Sequence, residues 1–250
     1  MNGWVSIVGL GPGSDDLVTP EVSKAIAEAT DIVGYIPYVA RIEPRPGLTL
    51  HASDNRVEID RSRHALEMAS DGARVVVVSS GDPGVFAMAA AVLEAVEHGE
   101  PNWRDTDIRV LPGITAMLAT AARVGAPLGH DFCTINLSDN LKPWSLIEMR
   151  LRLAAEADFA MAFYNPRSKS RPEGFEKALG ILQEACNDSR PVIFGRAVST
   201  PEETIQIVPL DQARPEMADM RTMVIVGSSQ TRIIPRSGDP LVYTPRSVTS

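Results

Sequence analysis

Three glycine-containing loops carry residue types that could surround a small ligand. They are residues 9–16 (GLGPGSDD), 79–86 (SSGDPGVF) and 111–116 (LPGITA), and each follows a short apolar run typical of a strand. Glycine allows the backbone to approach a ligand closely, and binding residues are often carried on loops of this kind. Because open parallel sheets bind ligands at the carboxyl ends of their strands, the three loops together predict a binding site.

The first loop does not fit the two commonest nucleotide-binding patterns. A dinucleotide fingerprint needs a third glycine where Ser14 stands, and a P-loop ends in Lys followed by Ser or Thr, which is missing here. Asp15 and Asp16 follow the glycines and would repel a phosphate. The sequence favours a loop that lines a cleft without holding phosphate, with a plain tight turn as the alternative.

The second loop allows two interpretations of equal weight. Pro83 disfavours the helical region for Asp82, so this carboxylate is held in extended backbone, where it suits a ligand with hydroxyls or an ammonium group. Alternatively, Asp82 or Ser80 caps a helix that begins near Val85.

Strands and helices alternate along the chain and predict the frame that positions these loops. This alternation predicts two α/β domains with largely parallel or mixed sheets. A cluster of glycine and proline near residues 125–129 predicts domains at residues 1–122 and 123–235, with a tail at 236–250 that wraps the surface or is disordered. The expected strands are residues 4–8, 32–33, 74–79, 108–111, 133–135, 159–164, 192–194, 204–208 and 222–226, and the expected helices are 20–29, 61–70, 85–98, 116–124, 145–156 and 173–186.

Composition excludes several classes of protein. Apolar residues form 44% and charged residues 22% of the 250, which is ordinary for a globular chain, and the net charge of −8 disfavours nucleic acid or an anionic membrane as partner. Two cysteines and four scattered histidines show no recognisable ligand spacing, so no metal site is expected, and His51, His64 and His98 are expected to be surface residues. No apolar stretch spans a bilayer, and a reduced cytoplasmic location is expected.

Taken in this order, the three loops resemble those of the tetrapyrrole (precorrin) methylase family, the class III S-adenosylmethionine-dependent methyltransferases. Residues 34–39 (GYIPYV), 129–144 (GHDFCTINLSDNLKPW) and 163–171 (FYNPRSKSR) are similar to a branch of that family acting in corrin-ring biosynthesis. That branch methylates precorrin-3B at ring carbon 17 and contracts the ring to precorrin-4. The resemblance covers residues 5–226.

The resemblance implies a two-domain homodimer that holds S-adenosylmethionine in a cleft between the domains, with S-adenosylhomocysteine as product. The glycine–arginine pair at 195–196 departs from the glycine–threonine pair common in the superfamily, which weakens the assignments there. The implied cofactor-binding residues are Pro12, Ser80, Gly81, Asp82, Val85, Phe86, Thr115, Ala116, Phe163, Tyr164, Gly195, Arg196 and Ala197.

Ring contraction needs proton transfer, for which the adjacent His130 and Asp131 are the catalytic candidates. The alternative is that both only cap the following element. A precorrin carries many carboxylates, so cations are expected near it. The substrate-binding candidates are Tyr35, Tyr38, Ser138, Asp139, Lys142, Asn165 and Arg167, with Arg41, Arg45, Arg56, Lys169 and Arg171 as further cations that could equally be solvated surface residues.

Other functions fit parts of the same pattern. The acceptor could be the cobalt-containing factor III of the anaerobic route, another tetrapyrrole position, or a protein or RNA. The chain lacks the cysteines for the additional iron–sulfur region of some relatives, which favours the cobalt-free substrate. A ligand-binding module without turnover would also use three cleft-facing loops.

Overall fold

A computed structural model describes residues 3–54 and 57–247. The chain forms two compact units, which divide between Thr115 and Ala116. Each is an α/β layer structure, as the alternating pattern predicts. Among the described residues, no helix combines the length and apolarity that crossing a bilayer requires.

The first unit is built on a five-stranded parallel sheet, with strand order β3-β2-β4-β1-β5. Thr19 caps the first helix through its Oγ1, which accepts from the amide of Val22. The elements are β1 (Trp4–Gly9), α1 (Pro20–Glu28), β2 (Asp31–Tyr35), α2 (Ile36–Val39), β3 (Thr49–Ser53), α3 (Glu58–Ser70), β4 (Arg74–Ser79), α4 (Met88–His98) and β5 (Asp107–Leu111).

Both faces of this sheet are covered, which explains why β1 and β4 are apolar without alternation. Helix α1 packs with Val8 and Val78 on one face, whereas α3 and α4 pack with Ile7 and Val77 on the other. The adjacent strands β1 and β4 therefore send their connections to opposite faces. Such a divergence opens a crevice at the carboxyl edge of the sheet.

The second unit holds a mixed five-stranded sheet, with order β10-β9-β11-β8-β7, and a small sheet with order β12-β13-β6. Strands β7, β8 and β9 run in one direction, opposite to β10 and β11. The elements are α5 (Ala116–Val124), β6 (Gly125–Ala126), β7 (Phe132–Asn136), α6 (Trp144–Glu156), β8 (Ala160–Tyr164), α7 (Gly174–Ala185), β9 (Pro191–Arg196), β10 (Thr204–Pro209), β11 (Thr222–Val226), β12 (Arg232–Ile234) and β13 (Leu241–Tyr243).

Two features of the second unit differ from the sequence predictions. Helix α5 belongs to this unit, so the division lies before it and not after residue 122, because Met117 and Val124 pack into one core with Ile225. The predicted tail is also partly ordered: β13 pairs with β6, and Val242 is fully buried. Strands of two or three residues in a proline-rich sequence leave no periodic signal.

Candidate functional site

The loops after β1, β4 and β5 meet at the carboxyl edge of the first sheet, and we call them the first-unit cluster (residues 9–16, 79–86 and 111–115). Gly11 and Gly81 exchange two backbone hydrogen bonds, with N···O distances of 2.8 and 3.2 Å. The amide of Leu10 donates to the Ser79 carbonyl at 2.8 Å. Main-chain hydrogen bonds therefore fix the first two loops to each other.

Asp82 ties the second loop to the third. Its Oδ1 accepts from the amide of Gly84 at 2.8 Å, and its Oδ2 accepts from the amide of Gly113 at 3.0 Å. Helix α4 begins only at Met88, whose amide donates to Ser79 Oγ at 3.3 Å. The proposal that Asp82 or Ser80 caps a helix starting near Val85 is therefore wrong, because the helix starts three residues later, after Ala87, and the Asp82 carboxylate is held within the loops.

The glycines of the cluster allow the main-chain segments of the three loops to contact one another. A Cβ on Gly113 would lie 2.2 Å from the carbonyl oxygen of Gly81, and a Cβ on Gly9 would lie 2.3 Å from the same oxygen. Real Cβ atoms do not approach backbone so closely. The third loop is thus as constrained as the first two, although its sequence holds a single glycine.

Helix α2 adjoins the second loop through Tyr38. The pKa of Tyr38 lies above its ordinary value, because burial and the neighbouring Tyr35 raise it more than the adjacent Ser80 side chain lowers it. Tyr35 packs edge-on against Tyr38, with ring centroids 5.4 Å apart. The structure therefore brings both tyrosine candidates to the first-unit cluster, together with the buried Arg61, which sequence reasoning missed and whose Nε donates to Ser53 Oγ at the end of β3.

Residues other than glycine with positive φ concentrate at the strand ends. Phe86 has φ of 53° and is half exposed, directly before α4. In the second unit, Asn165, Ala197 and Ser199 have φ of 51°, 49° and 65° and follow β8 or β9. Such strain persists only where the surroundings over-determine it, and it clusters at functional sites. Pro12 follows Gly11, which also has positive φ, and Val85 is partly buried beside Phe86.

We expect Asp82→Asn to weaken ligand binding at the first-unit cluster. An amide side chain turns one acceptor into a donor, so the amide of Gly84 or of Gly113 loses its partner. Leaving such a group unsatisfied costs about 1–3 kcal/mol of folding free energy, and the loosened loops should bind a ligand more weakly. Calorimetric titration with S-adenosylhomocysteine, the ligand that the resemblance implies, measures it, with Asp105→Asn, an exposed aspartate outside the three loops, as the control. Equal affinity in both variants would contradict the role given to Asp82.

A second group of polar residues lies at the carboxyl ends of β7 and β8, and we call it the second-unit cluster (Asn136, Ser138, Lys142, Asn165 and Arg171). Asn136 Oδ1 accepts from the Ser138 amide at 2.9 Å and from Asn165 Nδ2 at 3.1 Å. Lys142 Nζ donates to the Ser138 carbonyl at 3.0 Å, and Arg171 Nη1 donates to the Asn165 carbonyl at 3.5 Å. Asn136, which sequence reasoning missed, joins the two strand ends.

The charge balance of the second-unit cluster suits an anion. Burial lowers the pKa of Lys142, Arg150 lowers it further, Asp139 opposes the change, and Arg171 adds to it. The ammonium group thus has cationic neighbours that a carboxylate ligand would compensate. Arg167 lies in the same connection, where its Nε donates to the carbonyl of Pro172 at 3.4 Å.

The loop after β9 is held by ion pairs. Arg196 Nε donates to Asp219 Oδ2 at 2.8 Å, and Arg123 of α5 contacts both carboxylate oxygens of Glu203 at 2.9 and 3.0 Å. Glu203 also accepts from the amide of Ser199, and Arg123 Nη2 donates to Ser199 Oγ. Glu203 and Arg123 therefore fix the strained residues next to Ala197, a role that nothing in their local sequence indicates.

Two predicted cofactor residues pack closely against neighbouring elements of the second unit. Phe163 is completely buried in the core that β8 forms with α6 and α7, so it does not reach a ligand. A Cβ on Gly195 would lie 2.5 Å from Thr120 Cγ2, so this glycine serves to let α5 pack on β9. Tyr164 lies on the other face of β8, where its hydroxyl accepts a hydrogen bond from the amide of Met117 at 3.4 Å. It therefore lies beside Ala116 and the first turn of α5.

Two arginines expected near a substrate are engaged locally. Arg41 Nη2 donates to the Leu10 carbonyl at 2.9 Å and pairs with Asp15 at 3.2 Å. Arg45 Nη2 donates to three carbonyls at the end of α1, between 2.8 and 2.9 Å away. Both therefore hold the first unit together. Lys169 is exposed, and Arg56 lies outside the described residues.

The structure does not bring His130 and Asp131 to the second-unit cluster. They precede β7, whereas Asn136 ends it, and a strand rises about 3.3 Å per residue, so they lie at the opposite edge of the sheet. His130 Nδ1 is 3.8 Å from Asp131 Oδ2, and the Asp131 side chain is 80% exposed. A catalytic role for the pair is thus a prediction that this placement does not favour.

Comparison with known proteins identifies the family. A sequence model described as Tetrapyrrole (Corrin/Porphyrin) Methylases matches residues 5–214. The chain belongs to the tetrapyrrole methylase family. The match covers the first-unit cluster and the second-unit cluster, so both clusters are parts of the family fold.

Individual relatives extend this comparison. A precorrin-3B C(17)-methyltransferase of Sinorhizobium sp is 54% identical, over 98% of this chain and 97% of the relative. A probable cobalt-factor III C(17)-methyltransferase of Salmonella typhimurium is 37% identical, over 98% and 99%. The crystal structure of the methyltransferase CobJ superposes with a TM-score of 0.93 at 67% identity, covering 97% of this chain and all of that one.

Proposed function

We propose that this protein transfers a methyl group from S-adenosylmethionine to ring carbon 17 of precorrin-3B and contracts the ring to precorrin-4. The observation that carries the proposal is the 54% identity, over nearly the whole of both chains, with a protein named for that methylation. The geometry of the two clusters supports it, since one suits a cationic cofactor and the other an acidic substrate.

The first-unit cluster has the charge that S-adenosylmethionine requires. Its three loops contain Asp15, Asp16 and Asp82 and no lysine or arginine; Arg41 offsets Asp15, and the other two carboxylates suit a ligand that carries a sulfonium and an ammonium group. We propose that Ser80, Gly81 and Asp82 bind the cofactor here, with Pro12, Val85, Phe86 and Thr115 beside them; in the second unit, Ala116, Tyr164, Arg196 and Ala197 remain candidates.

For methyl transfer, the protein has chiefly to hold the cofactor's methyl group in line with the acceptor carbon of the substrate. The cofactor supplies an activated methyl group, and the electron-rich macrocycle supplies the nucleophilic carbon. Orientation of this kind contributes roughly 7–11 kcal/mol to lowering a barrier. In this proposal Lys142 and Arg171 hold substrate carboxylates, and Asn136 and Asn165 fix the positions of the two loops that carry them.

Calorimetric titration with S-adenosylhomocysteine, with NAD as the control, tests the cofactor. Binding of the first ligand alone supports the proposal, and at a hundredfold excess over its Kd it should add about 2.7 kcal/mol to the free energy of unfolding. Binding of NAD alone would overturn it. Product formation from precorrin-3B, followed by mass and absorbance, tests the acceptor and the ring contraction.

The alternative acceptor is cobalt-factor III, for which the Salmonella relative is named at lower identity. Offering both acceptors at equal concentration distinguishes the two. We expect the cobalt-free substrate to be consumed faster, because the more similar relative is named for it.

For His130→Ala we expect turnover within twofold of wild type and unchanged S-adenosylhomocysteine affinity, because His130 lies at the sheet edge away from Asn136. Steady-state assays of precorrin-3B consumption measure this. A loss of tenfold or more in kcat, with the cofactor affinity retained, would instead establish the catalytic role that the sequence suggests.

We further propose a homodimer that works in the reducing cytoplasm. Cys133 and Cys186 are both free thiols, and burial raises the pKa of each, which keeps them unreactive. Light scattering of the purified protein tests the oligomeric state.

A further inference from the structure

Two histidines that are far apart in the sequence meet on the surface of the first unit. His51 lies in β3 next to β2, and His64 lies on α3, with ring centroids 5.1 Å apart and planes at 72°. Asp31, the first residue of β2, adjoins His51. The site lies away from the carboxyl-end loops that form the first-unit cluster.

Asp31 determines which nitrogen of His51 faces His64. Asp31 Oδ1 lies 2.8 Å from His51 Nε2, and its Oδ2 accepts from Thr30 Oγ1 at 2.7 Å. Thr30 Oγ1 in turn accepts from the amide of Arg74 at 2.9 Å. This chain of contacts holds the proton on Nε2 of His51 and leaves the Nδ1 lone pair directed at His64.

The distance between the two facing nitrogens fits a shared metal ion. His51 Nδ1 and His64 Nε2 are 3.4 Å apart, longer than the 2.7–3.2 Å typical of a good hydrogen bond to a nitrogen donor. Two imidazole nitrogens at about 2.0–2.1 Å from a tetrahedral Zn²⁺ would be separated by about 3.3–3.4 Å. A histidine that binds a metal through one ring nitrogen usually donates its other N–H to a carboxylate, as His51 would to Asp31.

We propose that His51 and His64 bind a divalent transition ion of the kind that imidazole prefers, such as Zn²⁺, with Asp31 orienting His51. His64 is exposed and His51 is partly so, which leaves room for water to complete the coordination. Among the described residues, no group of three or more His, Cys, Asp and Glu side chains could hold a metal, and the proposed site uses two protein ligands.

The test is titration of the tag-free full chain with Zn²⁺, against a chromophoric chelator, with Mg²⁺ as the control ion. We expect one saturable Zn²⁺ site, and at least a tenfold loss of affinity in His64→Ala. His98→Ala is the matched control, because His98 is another exposed histidine on a helix of the same unit. Asp31→Asn should weaken binding by about 10- to 100-fold, as outer-shell changes do.

Each outcome decides the proposal. Loss of Zn²⁺ affinity in His64→Ala but not in His98→Ala supports it, and so do shifts of the His51 and His64 ring resonances on titration. Equal Zn²⁺ affinity in wild type and His64→Ala, or binding of Mg²⁺ as tight as that of Zn²⁺, would overturn it. Unchanged affinity in Asp31→Asn would overturn the orienting role of the carboxylate.

Discussion

Gly113→Ala should destabilise the first unit and abolish tight binding of S-adenosylhomocysteine. The new Cβ would lie 2.2 Å from the Gly81 carbonyl oxygen and 2.7 Å from that of Gly9. Both contacts are with backbone, so a side-chain rotation cannot relieve them, and the third loop must move away from the other two. Overpacking of this kind costs about 1–3 kcal/mol of folding free energy, and displacement of the loop breaks the 3.0 Å bond from the Gly113 amide to Asp82.

Urea unfolding and calorimetric titration measure the two effects, and Gly180→Ala is the matched control. A Cβ at Gly180 meets nothing within 4 Å, and the residue lies inside α7, where alanine is favoured over glycine by about 1 kcal/mol. We therefore expect the same chemical change to stabilise one position and destabilise the other. Wild-type stability and affinity in Gly113→Ala would show that the three loops do not need their close contact.

The sequence predicted the frame of the fold because its strands are buried on both faces. The predicted strand 74–79 matches β4 residue for residue, since a run of four valines covered on both faces has no competing interpretation. By contrast, β3 was missed, because it is a short edge strand with the mixed sequence TLHAS over Thr49–Ser53 and no fully buried residue. Its pairing with β2 is a tertiary effect.

The candidate site was predictable in its parts but not in its connections. Glycine and Asp82 in loops after strands indicate a ligand-binding edge, yet nothing local shows that one carboxylate oxygen reaches Gly113 on another loop. For the same reason, the sequence did not show that Asn136 joins two strand ends or that His51 lies next to His64. Contacts between distant segments depend on the register of the sheet, which a single sequence leaves undetermined.

The direction of the side chain distinguishes two adjacent site candidates in the second unit. Phe163 and Tyr164 are adjacent in one motif, but neighbouring side chains on a strand point to opposite faces. Phe163 enters the core under α6 and α7, and Tyr164 lies beside α5. Only one of two consecutive strand residues can therefore face a given ligand, and here the structure leaves Tyr164 as the candidate.

Lys142→Ala should raise the KM for the acidic acceptor while leaving S-adenosylhomocysteine affinity unchanged. Burial and the neighbouring Arg150 and Arg171 lower the pKa of Lys142, so its charged form is poorly compensated until a carboxylate binds. A hydrogen bond to a charged group contributes about 1.5–3 kcal/mol, so we expect KM to rise by roughly 10- to 150-fold. Steady-state kinetics with precorrin-3B measure it.

Lys169→Ala is the control for this prediction, because Lys169 is an exposed lysine in the connection that also carries Arg171. If simple attraction by net charge held the substrate, both variants would raise KM alike, and high salt would remove the difference from wild type. If the second-unit cluster makes a specific contact, only Lys142→Ala changes KM. Its effect then persists at high salt, because a partly buried pair is screened less than an exposed one.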